Sequence, residues 1–230
     1  MKFHRPFNVT ASLWIAGALL ATSAFTFCGC LSRPALKSQT FAFSTPPFSA
    51  TNNVANGGIL EIRRLQITPP FDGRSLIYRM SEFSYQRDPY AGFLGLPAEG
   101  LIGPVSEILR RDGGFSSVIQ PGSDVQPDAF AEITIFQLYG DFRSHQNASA
   151  VIAMQITFID ATNGLPGKLV FERDYLRQTR ISSTTPAALM EGWNQALVGI
   201  LAEAASDFRN RESEGRAVGG NVTPESSQTP

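Results

Sequence analysis

The sequence predicts a single-domain α/β sandwich, with a mixed, mostly antiparallel sheet and two main helices. Three observations predict it. Residues 130–142, 150–160 and 168–181 form three long strand-like segments joined by short polar turns. Residues 189–208 carry an apolar stripe at helical spacing behind a strong N-cap. A second helical segment, opened by Pro97 and closed by Gly113-Gly114, lies among shorter strand-like runs. Helices that must bury one stripe against a sheet that must bury one face give two layers around one core.

The chain begins with a short basic run, Met1-Lys2-Phe3-His4-Arg5. From Ala11 to Phe27 every residue is apolar or small and none is charged. At about 17 residues the run is short for a membrane span, which needs roughly 20, and suits the apolar region of a secretory signal peptide. It ends in Phe27-Cys28-Gly29-Cys30. A small residue directly before a cysteine at this place is the pattern of a lipoprotein signal peptide, in which the thiol is alkylated by diacylglycerol. Phe27 and Cys28 depart from the usual Leu and Ala or Ser. Ordinary cleavage after Ala24 is the alternative, but it leaves the chain's two cysteines one residue apart, with nothing else to pair with. Residues 1–29 therefore read as signal peptide and Cys30 as the lipidated residue. Two or three acyl chains give stable anchoring where one does not. Leu31 stands where an Asp is the usual signal for inner-membrane retention, so the expected address is the periplasmic face of the outer membrane.

Residues 31–57 are rich in Ser, Thr, Pro, Ala and Asn and read, with Cys30, as a flexible tether over 30–57. About 27 free residues have a root-mean-square reach on the order of 25–30 Å. The domain is expected over 58–209. Ile59–Ile67 alternates as a strand and stops at Pro69-Pro70. Ser75–Arg79 and Glu82–Gln86 read as a second and third strand. The helix from Pro97 places Leu101, Val105, Ile108 and Leu109 on one face and ends at Gly113-Gly114. Pro104 lies inside it and either kinks the helix or begins a separate one. Phe115–Gln120 is a short strand before the turn Pro121-Gly122-Ser123-Asp124.

In the three long strands, alternation is plainest where Ile152, Met154, Ile156 and Phe158 share a face. His145-Gln146-Asn147 and Asn163–Gly167 supply the turns of an antiparallel meander. Thr185 then caps a helix with Pro186 in its first position. Leu189, Trp193, Leu197, Ile200, Leu201, Ala204 and Phe208 recur at its period. Residues 210–230 hold hardly an apolar side chain and read as a disordered tail.

Charge and chemistry narrow the function. Of 19 basic residues, loss of Lys2 and Arg5 with the signal peptide leaves 17 against 20 acidic, which gives no footprint for nucleic acid. His145 is the one histidine left in the mature chain, in a polar turn, and no cysteine remains for nucleophilic attack or zinc binding. No phosphate-binding glycine loop and no G-x-S-x-G elbow occurs. Asp141 with the acids near Glu172 and Asp174 is the carboxylate grouping to consider, and strand surfaces carry such charges routinely. The expectation is a non-enzymatic protein without cofactor or metal.

The unusual stretch is Pro69–Arg79, followed by Tyr85, Asp88-Pro89-Tyr90 and Phe93-Leu94, which gathers aromatics, prolines and arginines. Core filling and turn nucleation explain such residues structurally; an exposed aromatic-plus-Arg surface is the interface reading. Tyr78, Arg79, Tyr85, Asp88 and Tyr90 are the candidate partner-binding residues. Gly73–Arg79 with its Leu-Ile-Tyr-Arg core, Asp88-Pro89-Tyr90 with Phe93-Leu94, Leu138–Phe142 and Gly192–Leu197 together resemble the ABC-type transport auxiliary lipoproteins. These are the outer-membrane lipoprotein partners of MCE-type lipid transport systems, such as the paraquat-inducible one. The matching pieces span about residues 58–209, and the Gly103-Pro104 break departs from the uninterrupted helix expected there.

The resemblance implies a lipid-anchored periplasmic accessory of a lipid or organic-solvent transporter, whose ATPase and permease are other chains. A structural envelope lipoprotein and a carrier holding lipid in its own cavity are the rival expectations. Changing Cys30 to Ala should leave unprocessed precursor or a soluble form. Unaltered processing and membrane association, measured by fractionation and mass, would remove the lipoprotein reading.

Overall fold

The computed structural model describes residues 37–44 and 57–219, without the side chains of residues 145, 212 and 214–219. The signal peptide expected over 1–29, the lipidation of Cys30 and the part of the tail from residue 220 onward lie outside the described residues.

Among the described residues eight strands form one mixed sheet. They are β1 (Gln39–Phe41), β2 (Gly57–Ile67), β3 (Ser75–Arg79), β4 (Tyr85–Phe93), β5 (Phe115–Ile119), β6 (Ala129–Asp141), β7 (Ser149–Asp160) and β8 (Lys168–Arg180). Among the described residues two helices join them, α1 (Pro97–Gly113) and α2 (Pro186–Gly219). The central strand is β6. One of its edges pairs with β7 along its whole length, antiparallel, and β7 pairs with β8 in the same way. Its other edge is shared: β2 runs parallel to its first half, and β3 meets its end at Gly140 and Asp141. β5 lies outside β2, while β4 and then β1 lie outside β3.

The mixed sheet and two helices follow the sequence expectation, but the balance of directions is a finding. Among the described residues four pairings are parallel and three antiparallel, although the two longest ladders are antiparallel. The meander was legible because short turns force antiparallel neighbours. The parallel partners β2 and β3 reach β6 only through long connections, which leave no local signal.

Both helices cover the same layer. α2 packs on β7 and β8, and α1 packs on β2, β5 and α2. The face of β7 that carries Ile152, Met154, Ile156 and Phe158 is fully buried beneath them. Phe158 meets Phe171 at 5.3 Å and Phe208 at 4.8 Å between ring centroids, and Phe208 also meets Phe115 at 5.1 Å. The helix edge is tied to β8 by Arg173 with Asp207, Arg177 with Glu203, and the Tyr175 hydroxyl donating to Asp207 at 2.7 Å. Pro104 neither ends nor splits α1, which runs continuously from Pro97 to Gly113, with Gly114 at φ 76° as its left-handed C-cap. Thr185 caps α2 by accepting from the Ala188 N–H at 3.3 Å.

Three boundaries need correction. The segment read as tether contributes to the fold: β1 pairs Gln39, Thr40 and Phe41 with Ala91, Gly92 and Phe93. Just beyond it, Phe43 is buried against Phe93 (5.6 Å, stacked) and Trp193 (6.5 Å), and the Ser44 N–H donates to Asn194. The physical reason is the Phe41-Ala42-Phe43 alternation, which places apolar rings on a strand edge that the polar surroundings obscured. At the other end α2 continues to Gly219, so residues 210–219 of the expected tail are helical. The third strand, expected over Glu82–Gln86, starts at Tyr85 and runs to Phe93, so Asp88-Pro89-Tyr90 lies inside β4.

Phe43 therefore belongs to the core and not to a linker. Phe43→Ala should lower the unfolding free energy by about 3–5 kcal/mol, measured by denaturant unfolding, whereas a side chain in a free tether would be silent.

Candidate functional site

The pieces of the unusual stretch converge where β3, β4 and the end of β6 meet. Tyr78 pairs with Gln86 and Gly140, and Arg79 pairs with Tyr85 and Asp141. Alternation then sends them to opposite faces. A Cβ on Gly140 would touch Leu189 of α2, so Gly140 and its neighbour Tyr78 belong to the helix side. Arg79, Tyr85, Tyr139 and Asp141 belong to the other.

On the helix side, Tyr78 stacks on Phe142 at 4.7 Å and 15° and donates its hydroxyl to Asp88 Oδ2 at 2.5 Å. Between Ser75 and Ile77 the partner strand jumps from Gly92 to Arg87, so residues 88–91 bulge out of the ladder. Asp88 Oδ1 accepts the freed N–H groups of Tyr90 (2.7 Å) and Ala91 (2.8 Å). Pro89, which has no N–H to lose, fits inside such a bulge. Asp88 is thus the carboxylate that closes a break in β4. Burial alone would raise its pKa, but the Tyr78 hydroxyl and the two N–H donors prevail and hold it below the ordinary value of 3.8. The Tyr78 phenol is pushed up by burial first and by the Asp88 carboxylate second, so it stays a protonated donor at neutral pH.

On the opposite face, Phe71 stacks on Tyr139 at 5.8 Å, and Tyr85 meets both edge-on at 6.2 and 5.5 Å. Arg79 lies over Tyr85 and bonds the Glu82 carbonyl and carboxylate at 2.9 and 3.1 Å. Glu82 is also held by Arg143 at 3.0 Å, and Arg143 grips Asp141 through its backbone N–H, Nε and Nη2. Asp141, 8% exposed, is the buried charged side chain among the described residues. The Arg143 guanidinium holds its carboxyl below the ordinary carboxylate value, against the opposing effect of burial.

The structure therefore brings Tyr78 and Asp88 together in one bonded pair and Arg79 and Tyr85 in another contact. Tyr85 (45% exposed) and Tyr90 (48% exposed) are open to solvent. It separates Asp141 from the acids it was grouped with. Glu172 and Asp174 face Thr157 and Gln155, opposite Glu132 and Thr134, seven or more residues back along β6. Among the described residues no group of three or more His, Cys, Asp and Glu is placed to hold a metal ion, and no helix is long and apolar enough to cross a membrane.

Sequence reasoning missed the tip between β3 and β4. Met80 and Phe83 are 39% and 94% exposed there. The tip is closed by the Met80 N–H donating to the Ser84 carbonyl at 2.8 Å and braced through Glu82 by both arginines. An apolar residue within a strand-like run reads as core, and the pattern that would have marked Phe83 is its place between Ser81, Glu82 and Ser84.

No family model matches the chain, and no curated protein does. Solved structures share its fold. Protein XCC0632 from Xanthomonas campestris, of family-model DUF330, superposes with a TM-score of 0.64 at 15% identity, over 78% of this chain and 99% of that one. An uncharacterized protein superposes with a TM-score of 0.59 at 10% identity, over 74% and 98%. The lipoprotein GNA1162 from Neisseria meningitidis is aligned over 63% of this chain and 97% of its own at 13% identity, with a TM-score of 0.34. The first two establish a common fold.

The two low carboxylate pKa values set a pH dependence. Each group is less basic in the folded chain than in the unfolded one, so its contribution is complete above the ordinary value of 3.8 and is lost as pH falls through the folded-state pKa. Asp141→Asn should cost stability at neutral pH and flatten the loss of stability below about pH 4. Denaturant midpoints measured across pH would contradict this if the variant's curve ran parallel to the parent's.

Proposed function

We propose that the chain is a lipid-anchored accessory protein of the bacterial envelope, held at the periplasmic face of the outer membrane by Cys30. In this role it docks an ABC- or MCE-type lipid transport assembly and performs no chemistry of its own. The observation that carries the reading is the convergence of the family-like pieces on one structural centre. The Tyr-Arg of β3 and the Asp-Pro-Tyr of the bulge lie close in sequence, but the Tyr-Gly-Asp-Phe of β6 is about 50 residues or more from both, yet Tyr78 bonds to Asp88 and stacks on Phe142.

Two further points support it. The polar groups that would be asked to do chemistry are engaged. Asp88 and Asp141 are saturated, ionised acceptors, and Tyr78 is a protonated donor; none is poised for proton transfer near neutral pH. What faces solvent instead is the two tyrosines of β4, Tyr85 and Tyr90. Among the described residues β1 pairs with the last three residues of that strand and none pairs with the same edge from Tyr85 to Tyr90. Exposed Tyr85 and Tyr90 on that edge are suited to a protein partner, while Tyr78 and Asp88 shape the strand beneath them.

Affinity capture of the full chain from crosslinked cells should recover an ATPase, permease or MCE-type component, and Tyr85→Ser with Tyr90→Ser should reduce that recovery. Capture that contains no transport component would reject the reading.

A further inference from the structure

We infer that the β3–β4 tip, Met80 to Phe83, dips into the lipid surface to which Cys30 is anchored, so that the domain has a fixed orientation on the membrane. The inference rests on the lipid-anchor reading above and adds a second contact to it.

Because β1 and Phe43 are built into the domain, the chain between anchor and domain ends at Ser38, not at residue 57. Eight Cα-to-Cα steps lead from Cys30 to Ser38. Even fully extended they span no more than about 29 Å. β1 runs parallel to β4, with Gln39 opposite Ala91, so the chain enters β1 from the side that leads back along β4 to Tyr85 and the tip. Because residues 88–91 bulge, that is only three positions along the ladder, or about 10 Å, within the reach of the anchor.

The opposite end of the sheet is out of range. Tyr78 is level with Gly140, which places Gln39 near the level of Leu138, and the N-terminal end of β6 at Ala129 is nine residues, about 30 Å, farther away. Leu165, exposed in the turn beyond β7, lies past that end and cannot meet the same surface.

The tip itself has the right chemistry. Phe83 is almost wholly exposed with Met80 beside it, on a turn that Arg79 and Arg143 hold in place through Glu82. Little conformational freedom is left to lose when the ring leaves water. One aromatic ring is too weak a signal by itself, but an anchor within about 29 Å makes its insertion an intramolecular step, the two-signal logic of stable membrane attachment. The charges on Arg79, Arg143, Glu82 and Asp141 cancel, so the contact depends on apolar area and not on anionic lipid.

The test uses the full lipidated chain in vesicles of phosphatidylethanolamine and phosphatidylglycerol. With Trp14 removed alongside the signal peptide, Trp193 is the remaining tryptophan and is buried. In F83W the introduced indole should shift its emission to the blue on vesicles and be quenched by lipids brominated in the upper acyl chain, while the parent shows neither change. An indole that stays water-like and unquenched in a chain whose mass shows an acylated Cys30 overturns the inference and leaves the tip to a protein partner. An unacylated Cys30, read from mass alone, removes the anchor reading and this inference with it. Retained near-ultraviolet dichroism of Trp193 shows that F83W is folded.

Discussion

The indole of Trp193 joins the parts of the fold that sequence keeps apart. It is fully buried, and its N–H donates to the Val151 carbonyl in β7 at 3.1 Å. Its ring stacks on Phe93 of β4 at 5.8 Å and touches Phe43 beyond β1 at 6.5 Å. Helix, central meander and N-terminal edge thus close on one side chain. The approach depends on the residue before it. A Cβ on Gly192 would come within 2.6 Å of Ile181 and 2.7 Å of Ala150, distances that carbon atoms do not tolerate. Asn194, two positions from Gly192, accepts the Ser44 N–H at 3.1 Å and completes the clamp. The Gly-Trp-Asn run is therefore a packing device: a gap, a wedge and a latch.

Once α2 is seated in this way, the rest of the sheet end follows. Gly140 lies under Leu189, which leaves room for Phe142, and Phe142 provides the surface on which Tyr78 stacks. Tyr78 then delivers its hydroxyl to Asp88, and Asp88 gathers the N–H groups of the β4 bulge. On the reverse face the same end is finished by Phe71, Tyr85 and Tyr139, with Asp141, Arg143, Glu82 and Arg79 linked as alternating charges. An isolated surface ion pair contributes little. These share partners around a buried Asp141, and what they hold in place is the projecting turn of β3 and β4.

The aromatic and arginine residues that suggested an interaction surface divide into supports and exposed rings. Tyr78, Asp88 and Asp141 are supports, because their polar atoms are already occupied. Tyr85 and Tyr90 are about half exposed and Phe83 almost wholly so. In the proposed role these are the side chains offered to a partner or a lipid surface, and a short stretch between Cys30 and Ser38 would let the anchor set orientation as well as proximity.

Much of the fold was legible because its elements carry local signals. The antiparallel meander followed from alternation and short turns, α2 from Thr185-Pro186 and its apolar period, and the end of α1 from Gly113-Gly114. Tyr78 and Asp88 were legible as notable residues from the density of aromatics and turn formers around them. Their pairing was not, since a hydrogen bond across a bulge depends on a register that sequence does not print. The strand in the supposed tether, the parallel placement of β2 and β3 and the exposure of Phe83 were likewise decided only in three dimensions. Each depends on which distant strand edge is free to receive a partner. The sequence by itself determined which segments must bury a face and where the chain must turn. Tertiary structure decided which faces meet, because packing around Trp193 and Gly192 selects among contacts that local propensity leaves equal.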